Sequence, residues 1–236
     1  MTSVSPRSLT PLSAPWRHAP DLGMSVPDLI ESSGYSCQTH EVVTEDGYLL
    51  QLHRIPGPGP AVLLQHGMLC SSYCWVTSDS TSLGFILADR GYDVWLGNFR
   101  GTRYGRRHTR LDPDKDLEFW RFTLHELGVF DLSATISSVL AVSGRSSLSF
   151  IGHSMGTTAY LILASSLPER VAAVSRAVLL APVVEPHNMR NLVGRLAGLH
   201  GLYRWLFESL GVLEILPSSI LVERLTWDTL VHHCLR

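Results

Sequence analysis

A serine between two glycines is the arrangement in this chain best suited to chemistry. It lies in the stretch Gly152-His153-Ser154-Met155-Gly156, which has the pattern G-x-S-x-G. The mostly apolar run Leu148–Ile151 precedes it, and the helix-compatible stretch Thr157–Ala164 follows. This context predicts a strained turn from strand to helix that presents Ser154 as a nucleophile. The glycines fit that role, because such a turn needs backbone angles and a close approach that a Cβ would block. A structural turn without chemistry is the alternative, and the strand and helix on either side favour the nucleophile.

Backbone N–H groups are the second requirement of serine chemistry, because they hold the negative charge of the tetrahedral intermediate. One candidate donor is the N–H of Met155, directly after the serine. The other is the N–H of Met68, which follows His66 and Gly67 at the end of the apolar strand Ala61–Gln65. An ordinary histidine after a strand is the other interpretation of this position. The serine turn further along the chain favours an oxyanion hole.

Composition bounds the kinds of function that need to be considered. A chain of 236 residues, 45% of them hydrophobic, can bury a sizeable core. Its formal net charge of −2 gives no reason to expect nucleic acid as a partner. We interpret the basic residues between Arg100 and Arg110 as loop structure with internal ion pairs rather than a phosphate site.

Cysteine content and targeting signals add little. Four cysteines are too few for a disulfide scaffold, and we expect buried thiols with no bound metal and no cofactor. They are Cys37, Cys70, Cys74 and Cys234. Pairing of Cys70 with Cys74, or a metal held with further ligands, is the alternative. The first 20 residues contain no apolar core of a signal peptide, and no run of 18 apolar residues predicts a transmembrane segment. The localisation stays open.

Strands and helices alternate along the chain. The predicted strands are Gln38–Thr44, Tyr48–Ile55, Ala61–Gln65, Asp93–Gly97, Ser147–Ile151 and Ala177–Ala181. The predicted helices are Val26–Ser33, Ser82–Arg90, Leu127–Val142 and a helix from the serine turn to about Ser166, with a polar loop between Asn98 and Glu118. This alternation predicts an α/β protein, with a mostly parallel central sheet flanked by helices. The Asp46-Gly47 turn predicts an opening hairpin that adds an antiparallel edge.

The chain divides into three regions. Residues 1–24 are expected to be a flexible N-terminal segment, and residues 25–184 an α/β core. Beyond them, residues 185–236 have apolar side chains at helical spacing, interrupted by glycines. We interpret this region as the start of a helical lid that could contact a lipid–water interface. A helical hairpin that only packs on the core is the alternative.

Several longer stretches resemble the acid lipase family of α/β hydrolases, which includes the gastric and lysosomal acid lipases. They are Val43–Tyr48, Leu52–Pro56, Gln65–Gly67, Asp93–Asn98, Arg100-Gly101, Phe119-Trp120, Asp131-Leu132 and Gly152–Thr157. The resemblance implies an α/β-hydrolase fold and hydrolysis of neutral lipid esters, triacylglycerols or sterol esters, without a cofactor. It also implies that Ser154 is the nucleophile, that Met68 and Met155 form the oxyanion hole, and that Asp131 is structural. We expect His153 to pack or hydrogen-bond rather than act on substrate.

The chain departs from the family pattern in its length. Members of the family are nearly twice as long, and their triad acid and base follow the lid. Downstream of Ser154 the only aspartate is Asp228, four residues before His232, and this pair could share a helix face. Because that segment resembles the lid, we expect a C-terminally truncated, partial fold that lacks the last core strands and the triad acid and base.

Two consequences follow from the missing segment. We expect weak or no activity and an unpaired sheet edge at Ala177–Ala181. A non-catalytic lipid-binding or regulatory protein is the alternative function.

Overall fold

The computed structural model describes residues 24–77 and 81–184. Within them, seven strands form one sheet. The strands are β1 (Gln38–Val43), β2 (Tyr48–Ile55), β3 (Ala61–Gln65), β4 (Asp93–Gly97), β5 (Arg107–His108), β6 (Leu148–His153) and β7 (Val174–Leu180). The sheet order is β1-β2-β4-β3-β6-β7, and the short β5 pairs with β2.

The direction of the strands agrees with the prediction of a mostly parallel sheet with an antiparallel edge. β3 runs parallel to both β4 and β6, and β6 runs parallel to β7. The hairpin β1–β2 is antiparallel, and β2 is also antiparallel to β4. Every residue of β3 and β4 is buried, as expected of central strands covered on both faces.

Helices cover the two faces of the sheet. They are α1 (Val26–Ser32), α2 (Leu83–Asp89), α3 (Leu124–Glu126), α4 (Ser133–Ser143) and α5 (Met155–Ser166), and a π-helical segment (Leu127–Leu132) joins α3 to α4. One hydrophobic core lies between the sheet and the face formed by α4, α5 and the π-helical segment. The other lies beneath α1, α2 and a short 3-10 helix, Ser72–Trp75.

Several element boundaries differ from those predicted. The helix expected at Leu127 begins at Leu124, because Thr123 and Glu126 form a capping box one turn earlier. The last strand begins at Val174, which pairs with Leu148, and it ends before Ala181, whose φ is 48°.

The loop predicted between Asn98 and Glu118 is only partly irregular. It contains β5 and the 3-10 helices Arg103–Gly105 and Leu117–Trp120. Two residues without an apolar pattern, such as those of β5, give no strand signal in the sequence.

The ion pairs expected in the basic loop are present. The guanidinium of Arg100 is buried and contacts Asp46, in the β1–β2 turn, at 2.6 Å and Asp131, in the π-helical segment, at 2.7 Å. It also lies 3.8 Å from the ring centre of Tyr48. Asp131 therefore has the structural role predicted for it. Nearer the surface, Arg107 pairs with Glu41.

No disulfide joins Cys37, Cys70 and Cys74 in the described part of the chain, and of these expected buried thiols Cys70 is buried and the other two are half-buried. Cys234, the Asp228–His232 pair and the whole predicted lid lie outside the described residues. Among the described residues, no three His, Cys, Asp or Glu side chains are grouped so that they could hold a metal.

One helix in the described part of the chain, Leu124–Ser143, is long and apolar enough to cross a membrane by length and composition. The most apolar stretch of this helix is 44% buried, and core helices of soluble proteins can have the same length and composition. The expected lack of a transmembrane segment stays a prediction.

Candidate active site

Ser154 lies at the junction predicted for it, between the last residue of β6 and the first residue of α5. Its backbone angles are φ 49° and ψ −116°, a combination that residues with a Cβ rarely adopt. Such a conformation costs about 1–3 kcal/mol and persists only where the surrounding structure enforces it. The strained turn predicted from the G-x-S-x-G pattern is therefore present in the backbone.

The non-glycine residues with left-handed backbone conformations cluster at one edge of the sheet. Among the described residues, Leu69, Ser154 and Ala181 are the non-glycine positions with positive φ. They follow β3, β6 and β7, which are neighbours in the sheet. Because these strands are parallel, their carboxyl ends meet at the same edge, where α/β sheets place their ligand sites.

Two glycines allow the chain segments at this edge to touch. A Cβ on Gly156 would lie 2.7 Å from the carbonyl oxygen of Gln65 and 2.8 Å from that of His66. A Cβ on Gly67 would lie 3.1 Å from the Cβ of Ser154 and 2.9 Å from Nδ1 of His153. The loop after β3 therefore packs directly against the serine turn, as the oxyanion-hole hypothesis requires.

The two predicted oxyanion donors lie on the two segments brought together in this way. Met155 is the first residue of α5, where backbone N–H groups have no acceptor within the helix and the helix dipole favours negative charge. Met68 directly follows Gly67, in the loop against the serine turn, and its side chain is 60% exposed. Main-chain contacts fix the turn itself. The N–H of Ser154 donates to the carbonyl of Leu180 at 2.9 Å.

Two histidines border the serine turn. His66 is fully buried, and burial lowers its pKa to about 4, so its ring is neutral at physiological pH. His153 is half-buried, and burial also lowers the pKa of its ring. The prediction that His153 has a packing role agrees with its position against Gly67.

Sequence reasoning missed the contribution of Thr157. Its hydroxyl donates to the carbonyl oxygen of Ser154 and accepts a hydrogen bond from the N–H of Val183. Thr158 donates to the carbonyl of Val183. These contacts tie the first turn of α5 to the segment after β7. In the sequence, Thr157 was marked only as the last residue of Gly152–Thr157, one of the stretches that resemble the acid lipases.

Comparison with known sequences agrees with this geometry. The sequence model of the family described as "alpha/beta hydrolase fold" matches residues 60–201, and that of a "partial alpha/beta-hydrolase lipase region" matches residues 26–79.

Curated lipases match much of the chain. It is 38% identical over 227 residues to the lysosomal acid lipase/cholesteryl ester hydrolase of Macaca fascicularis, covering 92% of this chain and 56% of that protein. It is 38% identical over 200 residues to human gastric triacylglycerol lipase, covering 80% and 50% respectively. Lipase 1 of Drosophila melanogaster is 47% identical over 166 residues, covering 70% and 38%. The chain thus spans about half the length of the curated relatives it matches.

Among solved structures, the epoxide hydrolase VrEH1 of Vigna radiata aligns with a TM-score of 0.47 and 24% identity, covering 71% of this chain and 45% of that one. The resemblance to acid lipases inferred from short stretches is confirmed by the sequence matches, and the match over residues 60–201 shows that the chain belongs to the α/β-hydrolase fold family.

Proposed function

We propose that this chain carries the nucleophile and the oxyanion hole of a serine ester hydrolase that acts on neutral lipid esters. The observation that carries the proposal is the backbone of Ser154, held at φ 49° between a strand and a helix, with the loop of Met68 packed against it. A serine in this position projects its hydroxyl beyond the sheet edge, where the N–H groups of Met68 and Met155 can serve as the oxyanion donors.

Lipid esters are the proposed substrates because of what the relatives are named for. Those matched over most of this chain are a cholesteryl ester hydrolase and a triacylglycerol lipase. In this proposal the hydroxyl of Ser154 attacks the ester carbonyl carbon and the alcohol leaves with a proton. Water then hydrolyses the acyl-enzyme, so that no cofactor is needed.

The described residues supply no evident proton acceptor for the hydroxyl of Ser154. His66 cannot serve, because both of its ring nitrogens have hydrogen-bond partners within the fold. We propose that the residues from 24 to 184 that the structure describes supply neither the triad acid nor the triad base. Loss of triad members lowers turnover by about 10⁴- to 10⁶-fold in serine hydrolases, so slow turnover is expected.

A fluorophosphonate probe tests the nucleophile directly, because it bonds covalently to the serine hydroxyl and places its phosphoryl oxygen where the oxyanion would lie. Since the triad base is proposed to be missing, we expect slow labelling of Ser154 in the full chain, detected over a long incubation and located by mass spectrometry. Labelling should vanish in Ser154→Ala and persist in Ser165→Ala, a matched change of an exposed serine in the last turn of α5. Folded protein that does not react would contradict the proposal and favour lipid binding without catalysis.

Ester chain length tests the substrate class. With p-nitrophenyl esters, the rate of acylation should rise from acetyl to octanoyl esters, because longer chains gain apolar contact. A preference for acetyl esters would contradict the assignment to lipid substrates while leaving the nucleophile intact.

A further inference from the structure

His66 makes two hydrogen bonds that together define its protonation. Its Nε2 lies 3.2 Å from the backbone nitrogen of Phe99, and its Nδ1 lies 2.7 Å from the carbonyl oxygen of Gly67. The Phe99 amide can only donate, so Nε2 must carry a lone pair. The Gly67 carbonyl can only accept, so Nδ1 must carry the proton. One neutral tautomer satisfies both partners, and the other satisfies neither.

The bond to Gly67 has a consequence for the next residue. The carbonyl of Gly67 and the N–H of Met68 belong to one peptide unit, which is planar and trans, so the two groups point in opposite directions. When Nδ1 of His66 holds the carbonyl on its own side, the N–H of Met68 must face the other way. A flipped peptide would turn the N–H toward a ring nitrogen that already carries a proton.

The Phe99 amide anchors the ring from the second side. Phe99 lies in the loop after β4, and its ring is in edge contact with that of His66, with centroids 5.2 Å apart. The His66 ring is therefore fixed between the β3 and β4 loops and is not free to rotate. Its buried surroundings keep water from competing for either nitrogen.

We propose that His66 is a positioning residue for the oxyanion hole, whose Nδ1–H tautomer fixes the Gly67–Met68 peptide with the Met68 N–H toward the serine turn. This inference rests on the proposed function, because it assigns the Met68 amide its use. The residue itself does not touch substrate.

Two substitutions separate the two hydrogen bonds. An asparagine at position 66 can place its side-chain N–H near the former Nδ1 and still donate to Gly67. A glutamine can place its carbonyl oxygen near the former Nε2 and still accept from Phe99, but it offers Gly67 no donor. Both variants, His66→Asn and His66→Gln, lose one buried hydrogen bond, so a merely structural role predicts similar losses of stability and of function.

The rate of fluorophosphonate labelling of Ser154 should distinguish the variants. We expect His66→Asn to label within about threefold of the parent, and His66→Gln to label at least about tenfold more slowly, because loss of one oxyanion donor costs about 10²- to 10³-fold in turnover. Similar melting temperatures for the two variants would show that the difference lies in the site. Equal rates in both variants, whether unchanged or equally reduced, would overturn the proposal.

Nuclear magnetic resonance gives a readout that does not depend on reactivity. In the full chain uniformly labelled with 15N, the His66 ring should show a protonated Nδ1 and an unprotonated Nε2 from pH 8 to pH 5. The amide resonance of Met68 should move further in His66→Gln than in His66→Asn, because both variants lose the ring but only the glutamine loses the donor to Gly67. A proton on Nε2, or a shift of the Met68 amide in His66→Gln no larger than in His66→Asn, would overturn the positioning role. If the parent failed to label while these signals appeared as expected, the proposed function would be wrong and the positioning of the peptide would stand.

Discussion

The backbone around Ser154 is held by contacts that a single added methyl group would break. Gly156 lies in the first turn of α5 against the carbonyl oxygens of Gln65 and His66, so α5 and β3 can approach only because this residue has no side chain. The same close approach places the helix N-terminus at the serine. The packing of α5 against β3 and the position of its N-terminus at Ser154 therefore both depend on the absence of a side chain at Gly156.

Substitution of Gly156 by alanine should disturb that space. The new Cβ would lie 2.7 Å from a backbone oxygen, which cannot move aside as a flexible side chain could. We expect Gly156→Ala to lower the free energy of unfolding by about 1–3 kcal/mol and to slow labelling of Ser154. Urea denaturation measures the first effect.

Gly144→Ala is the matched control for this prediction. Gly144 has φ 66° and no atom within 4 Å of an added Cβ, so its substitution strains the backbone without a clash. A loss of stability in Gly156→Ala no larger than in Gly144→Ala would contradict the steric argument.

At the scale of single residues, the sequence predicted the strained turn at Ser154 but not the contacts that support it. Ser154 could be found because its neighbours along the chain define the turn. The support given by His66 could not, because its partner Phe99 is 33 residues away and the hydrogen bond exists only once β3 and β4 are paired. The choice of tautomer is likewise a property of the folded state.

At the scale of elements, Arg100 connects segments that are far apart in the sequence. Its guanidinium joins the β1–β2 turn, through Asp46, to the π-helical segment, through Asp131, and its own backbone N–H also donates to Asp131. The side chains of Arg100 and Asp131 are each only 1% exposed. A carboxylate buried to that extent depends on its partner to remain charged.

Removal of the guanidinium should therefore be costly. We expect Arg100→Met to lower the free energy of unfolding by about 3–5 kcal/mol, because it leaves the charge of Asp131 buried without compensation. Adding Asp131→Asn should recover part of that loss, since it removes the stranded charge.

Arg107→Gln is the matched control, because it breaks the exposed pair with Glu41, in which the two side chains are 62% and 47% exposed. That change should cost no more than about 1 kcal/mol. Thermal or urea unfolding of the four proteins measures these differences. Equal losses for Arg100→Met and Arg107→Gln would show that burial does not govern the pair.

Strand and helix positions were predicted best where burial is continuous. The bounds of β2, β3 and β4 agree with those predicted, because uninterrupted or alternating apolar residues define them. The earlier start of the helix at Leu124 was readable from Thr123 and Glu126, a capping-box signature that the hydrophobic pattern alone did not show. The π-helical geometry that follows had no counterpart in the sequence pattern.

At the scale of the whole molecule, buried histidines make stability depend on pH. Burial lowers the pKa of His53 to about 4, as it does for His66, whereas an unfolded histidine titrates near 6.5. Between those two pH values the unfolded chain binds protons that the folded chain excludes. The part of the free energy of unfolding that depends on these neutral histidines is therefore fully present above about pH 6.5 and is lost as the pH falls toward 4.

His53→Phe should remove one of these two contributions. The ring keeps its place against Tyr104, but the group that titrates in the unfolded chain is gone. We expect the decrease in the free energy of unfolding between pH 7 and pH 4 to become smaller by up to about 3 kcal/mol, at 1.36 kcal/mol per pKa unit. His125→Phe, at an exposed ring, should leave that decrease almost unchanged. An unaltered pH profile in His53→Phe would contradict the assignment.

We expect the edge of the sheet at β7 to control association between molecules. Among the described residues β7 pairs with β6 alone, and Val178, near its middle, is 47% exposed. An open edge with exposed apolar side chains can pair with another chain, and a lysine at such an edge opposes that pairing. We expect Val178→Lys to raise the concentration at which light scattering first shows association by roughly twofold or more.

Val142→Lys is the matched control, because it adds the same charge at a helical valine that is 46% exposed and lies away from the edge. It should change that concentration much less. If both variants raised it equally, net charge rather than the strand edge would control association.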